Sequence, residues 1–124
     1  LSNELEKQGF QTPTPIQSRS IPRILRGESV LLIAPTGHGK TEAAFFPLIH
    51  RLLKEPKENE GVQFIWITPL RALNRDILRR LILIAQQLQI SVEVRHGDTS
   101  PSTRRRQTLK PPQLFIITPE TLQA

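Results

Sequence analysis

Cysteine is absent from all 124 residues. Its absence excludes a disulfide framework and any cysteine-ligated metal site, and it accords with an intracellular setting. No run of eighteen apolar residues occurs, which excludes a helical membrane span. The N-terminus lacks the basic, apolar, small-residue order of a secretory signal. Leu1 is not a natural initiator, so the chain is expected to be an excerpt of a longer one. Acidic residues are few: Asp+Glu 11 stand against Lys+Arg 17, a net charge of +6, with a pI near 10.8. That surplus suits a polyanionic partner, although a surface tuned for solubility would carry the same charge. Asp76 and Asp98 are the only aspartates, and no Asp-Glu dipeptide exists. The remaining composition is that of an ordinary globular chain long enough for one domain at most.

The most informative stretch is Ala34-Pro35-Thr36-Gly37-His38-Gly39-Lys40-Thr41. It follows Ser29-Val30-Leu31-Leu32-Ile33, an apolar run that reads as a buried strand, and it opens a helix at Glu42-Ala43-Ala44-Phe45-Phe46. Strand, Gly-rich turn, Lys-Thr and helix form the context of a phosphate-binding P-loop. Glycines 37 and 39 let the backbone turn several N–H groups inward. The helix N-terminus adds unpaired N–H groups and the positive end of its dipole. Lys40 is placed to reach the terminal phosphates of a nucleotide, and the Thr41 hydroxyl to ligate Mg²⁺. A Gly-rich strand-to-helix turn without a ligand is the bland alternative, but residue types, spacing and context agree on the P-loop. One departure stands out: Ala34 holds the place where the general pattern begins with Gly.

Upstream, Ser2 to Gln8 reads as a short helix stopped by Gly9. Thr14-Pro15-Ile16-Gln17 is a capping box with Pro at the first helical position, predicting a helix to about Arg26 that ends at Gly27. Gln17 therefore has a local task, holding the Thr14 backbone N–H. Its amide could equally read the edge of an adenine, which presents one donor and one acceptor, with Phe10 stacking on the base. The P-loop helix is expected over residues 40–53, with Phe45, Leu48, Ile49 and Leu52 as its core face. His38 and His50 lack metal-ligand company and read as structural. The charged stretch 54–61, with Pro56, reads as an exposed loop.

Residues 62–68 read as a second strand buried on both faces. Thr68-Pro69 then caps a helix predicted over 70–88, with Leu70, Leu73, Ile77, Leu81, Ile84 and Leu88 inward. Arg71 lies in its first turn, where a cation opposes the helix dipole and makes better sense if an anion arrives. Residues 91–95 read as a third strand, His96 to Ser100 as a turn, and Ser100-Pro101 as the start of a helix through Arg104-Arg105-Arg106. Three consecutive arginines cannot share one helix face, so they read as a basic surface. Pro111-Pro112 ends that helix, residues 113–117 form a fourth strand, and Thr118-Pro119-Glu120 opens a further helix. Two strands thus end in Thr-Pro at a helix start. In an open parallel sheet such helix starts share the carboxyl edge, where ligands bind. Each would present N–H groups and a Thr hydroxyl to phosphate, a contact that reads no base sequence.

Together these blocks resemble the first RecA-like domain of superfamily 2 DEAD/DEAH-type helicases. Gly9 to Gln17 is similar to the Q-motif, Ala34 to Thr41 to motif I in a variant common among nucleic-acid helicases, Thr68 to Leu73 to motif Ia, and Thr118-Pro119-Glu120 to motif Ib. The stretches Thr36 to Phe45, His96-Gly97-Asp98-Thr99 and Pro111-Pro112 are most similar to the large helicase-related (Lhr) branch, although His38 stands where Ser is common. The resemblance implies a three-layer α/β RecA-like fold with a mainly parallel sheet, of which residues 1–124 are the N-terminal portion, truncated before motif II. It implies ATP and Mg²⁺ as cofactors. Phe10 and Gln17 would lie at the adenine, residues 34–42, through Glu42, around the phosphates, and Lys40 and Thr41 would carry catalysis. Pro69, Leu70, Arg71, Gly97, Asp98, Thr118, Pro119 and Glu120 would border a nucleic-acid backbone. The implied partners are single-stranded DNA or RNA, a DNA–RNA hybrid and a second RecA-like domain, in a prokaryotic, nucleoid-associated cytoplasmic setting and with no membrane.

Hydrolysis needs an acid to hold Mg²⁺ and a base to orient water, the Asp-Glu pair of motif II in such motors, and neither Asp76 nor Asp98 is so placed. A small-molecule P-loop enzyme such as a nucleotide kinase is a competing reading, but it leaves the upstream Gln17 block without purpose. A non-catalytic nucleic-acid-binding module that keeps the loop is another. The 124-residue piece is expected to bind nucleotide weakly and to show no ATPase activity. Phosphate release measured on the purified piece checks this; turnover that disappears in Lys40→Ala would contradict it.

Overall fold

Three of the four apolar runs that read as strands become hydrogen-bonded strands, and one does not. The computed structural model describes residues 13–35, 39–54, 61–73 and 75–123. It resolves into two compact units, Leu1–Lys54 and Glu55–Ala124. The predicted helix over Ser2 to Gln8, together with Phe10, Thr36, Gly37 and His38, lies outside the described residues.

The first unit holds two helices that pack together, α1 (Pro15–Leu25) and α2 (Lys40–Lys54). The capping box forms as the sequence predicts: Thr14 Oγ1 accepts from the Gln17 N–H at 3.4 Å, and Gln17 Oε1 accepts from the Thr14 N–H at 2.9 Å. Such a cap contributes about 1 kcal/mol. On α2, Ala43, Phe45, Ile49 and Leu52 are buried, so the expected core face is present except that Leu48 is only half-buried.

The expectation of a buried strand over Ser29 to Ile33 is corrected. These residues form no strand, and Leu31 and Ile33 are 83% and 80% exposed. No backbone hydrogen bond reaches residues 29 to 35 among those described. A strand exists only through its ladder partners, and an apolar sequence without one stays single.

The second unit is built on three parallel strands, β1 (Phe64–Ile67), β2 (Val92–Arg95) and β3 (Leu114–Ile117), in the order β1-β3-β2. Phe64 pairs with Leu114 and Val92 with Leu114, so the strands start and end level. β3, flanked on both sides, is the most buried, with Leu114 and Ile116 fully enclosed. β1 is an edge strand, and the expectation that it is buried on both faces is corrected: Ile65 and Ile67 are each more than half exposed.

The single helix expected over residues 70–88 is two helices, α3 (Leu70–Leu73) and α4 (Asp76–Gln87). Arg75 caps α4 in an extended conformation, φ −75° and ψ 140°, with no side-chain hydrogen bond. The break rephases the apolar stripe, so Leu78, Leu81, Ile84 and Ala85 are buried while Leu70 is 48% exposed. Asp76 in the first turn of α4 suits the helix dipole. α5 (Pro101–Leu109) starts on Ser100, whose Oγ accepts from the Thr103 N–H, and α6 (Pro119–Gln123) follows β3 directly. Among the described residues no helix is long and apolar enough to cross a membrane.

Candidate nucleotide and nucleic-acid sites

In the first unit, the Gly39 carbonyl accepts the first helical bond of α2, from the Ala43 N–H at 3.0 Å. The N–H groups of Lys40 and Thr41 therefore precede the ladder and have no acceptor among the described residues. The Lys40 side chain is half-buried and pairs with no carboxylate among them. An ammonium and the positive end of a fifteen-residue helix thus stand together, with Glu42 in the first turn as the carboxylate beside them. That is the donor chemistry a phosphate group requires, and the neighbouring Thr41 hydroxyl is an oxygen ligand of the kind Mg²⁺ takes. Ala34 is half-buried and Pro35 exposed on the preceding segment.

Gln17 performs the local task that its capping position offers, and a second one. Its Nε2 donates to Gly39 O and to Glu42 Oε2, both at 3.2 Å, while Oε1 holds the Thr14 N–H. The side chain is nearly enclosed at 6% exposure. Both amide hydrogens are thereby spent inside the protein, tying the start of α1 to the start of α2 across 22 residues. Gly39 is fixed by the same knot. Its φ is +79°, and a Cβ there would run into Gln17 Nε2 and lie 2.8 Å from Glu42 Oε2. Only glycine meets both demands.

In the second unit, the three strand ends form one rim. The Thr68 N–H donates to Ile117 O at 3.1 Å and the Thr118 N–H to Arg95 O at 3.3 Å. The residues that follow each strand therefore leave the sheet side by side: Pro69, Leu70 and Arg71 after β1, Gly97 and Asp98 after β2, Pro119 and Glu120 after β3. All seven are exposed. Arg71 makes no ion pair among the described residues. The Thr118 hydroxyl, expected to face outward, is corrected: Thr118 is 2% exposed and donates to Thr121 Oγ1 at 2.8 Å. The Thr118 N–H and carbonyl are engaged as well, by Arg95 O and the Leu122 N–H. Pro119 has no N–H, so the nearest backbone donor without an acceptor among the described residues is that of Glu120.

Sequence reasoning missed one polar assembly behind this rim. Arg104 donates from Nη2 to His96 O at 2.8 Å and from Nε to Thr99 O at 3.1 Å. Arg95 donates to Gln107 Oε1 at 2.9 Å and to Arg104 O at 3.0 Å, with its guanidinium 5.0 Å over the Phe115 ring. Gln107 Nε2 closes the set on Val94 O at 3.0 Å. The three arginines of α5 do diverge: Arg104 turns inward, Arg105 is exposed, and Arg106 pairs with Glu93 at 2.8 Å. The triplet alone could not tell which of them does what.

Comparison with known proteins places these sites in context. Residues 14–124 match the model of the DEAD/DEAH box helicase family. The chain is 37% identical over 94% of its length to the ATP-dependent helicase Lhr-Core of Methanocaldococcus jannaschii, of which it covers 16%. It is 38% identical over 98% of its length to an Lhr helicase/probable uracil glycosylase of Mycolicibacterium smegmatis, of which it covers 9%. The chain thus spans less than a fifth of these relatives. Among solved structures, Mycobacterium smegmatis helicase Lhr bound to single-stranded DNA and AMP-PNP superposes with a TM-score of 0.76 at 37% identity, covering 98% of this chain and 17% of that one. The RNA helicase Prp28 of Chaetomium thermophilum bound to ADP superposes at 0.79 and 28% identity, covering 97% and 30%.

The Gln17 knot yields a prediction with a pH signature. Gln17→Glu removes both amide donors and sets a second carboxylate against Glu42, which should destabilise the first unit by about 2 kcal/mol at neutral pH. The like charge raises the carboxyl pKa in the folded state, so the deficit should shrink as pH falls toward about 4, where protonation returns one donor. Thermal melts of wild type and variant at both pH values check this, and a deficit that does not change with pH would contradict it.

Proposed function

We propose that this chain, which belongs to the DEAD/DEAH box helicase family, is the ATP-binding part of a motor that steps along a nucleic-acid strand and unwinds DNA or DNA–RNA duplexes. The observation that carries the reading is the level carboxyl rim of the second unit. There Arg71, Gly97 and the Pro119 helix start emerge from adjacent strands, exposed and side by side. Exposed backbone beside the Arg71 guanidinium suits a sugar–phosphate backbone and ignores base identity, with Asp98 and Glu120 as carboxylates on the same rim. Support for the strand also comes from the Lhr relative, whose structure holds single-stranded DNA and AMP-PNP.

In this reading, Lys40 places its ammonium at the β- and γ-phosphates, and the Lys40 and Thr41 N–H groups point at the same oxygens. Thr41 holds Mg²⁺, with Ala34 to Glu42 forming the cradle. Phe10 stacks on the adenine. Gln17 reads the adenine edge only by exchanging a partner, because both of its hydrogens are engaged by Gly39 and Glu42. Arrival of a nucleotide would thereby be felt at the foot of α2. ATP, when bound, supplies the free energy of stepping. The acid and base of hydrolysis and the transition-state arginine belong to motif II and to a second RecA-like domain. A DNA or RNA partner places the protein with the nucleoid in the cytoplasm.

Titration of a labelled single strand, with and without a non-hydrolysable ATP analogue, tests the proposal. Binding should be salt-sensitive, indifferent to sequence and altered by the analogue. Lys40→Ala should abolish the response to the analogue. Arg71→Ala should weaken strand binding several-fold and reduce the salt slope by about 0.7. Strand binding that ignores nucleotide would favour a non-catalytic module, and nucleotide binding without strand binding would favour a small-molecule P-loop enzyme.

A further inference from the structure

The turn between β2 and α5 is held from behind in a manner that leaves one backbone group for a ligand. Within it, the His96 N–H donates to Thr99 Oγ1 at 2.9 Å, the Asp98 N–H to His96 Nδ1 at 3.1 Å, and the Thr99 N–H to His96 O at 3.1 Å. The Gly97 N–H has no acceptor among the described residues, and Gly97 is exposed, with nothing within 4 Å of where a Cβ would stand. The two carbonyls that flank it, His96 O and Thr99 O, are both taken by the fork of Arg104. His96 O belongs to the same trans peptide group as the Gly97 N–H and points opposite to it, so holding that carbonyl inward aims the N–H outward. Arg104 is in turn braced through its own carbonyl by Arg95, which Gln107 and the Phe115 ring hold in place. Neither Arg95 nor Arg104 makes an ion pair among the described residues, so their charge stands behind the turn, while the Asp98 carboxylate is exposed within it.

We propose that Arg104 is a positioning residue. It clamps the His96–Thr99 turn so that the Gly97 N–H is presented to one phosphate of the bound strand, while its guanidinium itself touches no phosphate. This inference rests on the nucleic-acid reading above. A fixed, outward N–H backed by positive charge binds an anion without paying for ordering at the moment of contact. A lysine in place of Arg104 keeps the charge but lacks the planar fork that spans two carbonyls.

The test is single-strand affinity of the full chain as a function of salt, for wild type, Arg104→Lys, Gly97→Pro and Arg105→Ala. Arg104→Lys should weaken binding about tenfold with the slope of log K against log salt unchanged, because the lost contact is made by a neutral N–H and releases no counterion. Gly97→Pro deletes the same hydrogen without touching the clamp, and should give the same loss and the same slope. Arg105→Ala removes an equal charge one residue along, and should weaken binding only about twofold. Nucleotide binding should be unchanged in all three, which a general loss of folding would not allow. If Arg104→Lys binds as wild type does, as it would if only the charge mattered, the inference is overturned while the nucleic-acid reading survives. If Arg104→Lys fails to fold, Gly97→Pro decides alone, and wild-type affinity there overturns the inference. Wild type that binds no single strand removes the parent reading, and the inference falls with it.

Discussion

The parallel register of three short strands is the constraint on which the second unit depends. Phe64, Leu114 and Val92 stand level, so the strands end level too, and the next bonds in the ladder, Thr68 N–H to Ile117 O and Thr118 N–H to Arg95 O, carry that alignment one residue past the sheet. A slip of one residue would reverse which side chains face each side. It would also stagger the three chain exits and scatter Arg71, Gly97 and Pro119 over different heights. The enclosure of Leu114 and Ile116 fixes the register, each contributing about 2 kcal/mol through burial. The apolar core thereby sets the geometry of a polar rim that it does not touch.

A second theme is the use of side-chain amides and guanidinium groups to hold backbone at chosen places. Gln17 secures the carbonyl of Gly39 at the foot of α2, and Arg104 secures two carbonyls around Gly97. In each case a long polar side chain consumes acceptors and leaves nearby N–H groups for an incoming anion. In the proposed reading, the groups that face phosphate in both units are therefore mainly backbone donors. Such donors do not vary with side-chain conformation and suit a ligand recognised by charge and shape.

Local chemistry was legible in the sequence, and long-range pairing was not. The Thr14–Gln17 capping box, the Ser100 cap and the inward spacing on α2 depend on residues three or four apart, and all appear as expected save that Leu48 is only half-buried. The start of α2 at Lys40 and the parallel sheet were equally readable from motif and order. The run Ser29 to Ile33 misled because apolarity specifies burial but does not supply a neighbouring strand. The break at Arg75 was hidden because an apolar period continues through it, and Arg75 carries no capping side chain to announce a boundary. The bridge from Gln17 to Glu42 and the clamp of Arg104 on His96 and Thr99 join residues that only the fold brings together. The inward turn of the Thr118 hydroxyl depends on Thr121, a residue that no motif singled out.

The central claim is that one rim of the parallel sheet contacts the strand while the foot of α2 contacts the nucleotide. Backbone amide resonances of isotopically labelled protein, followed during separate additions of an unstructured single strand and an ATP analogue, test it most directly. The account predicts that the strand moves the signals of Arg71, Gly97 and Glu120 together, and that the analogue moves those of Lys40 and Thr41 most. Strand-induced shifts concentrated away from these three residues, with the rim unaffected, would contradict it.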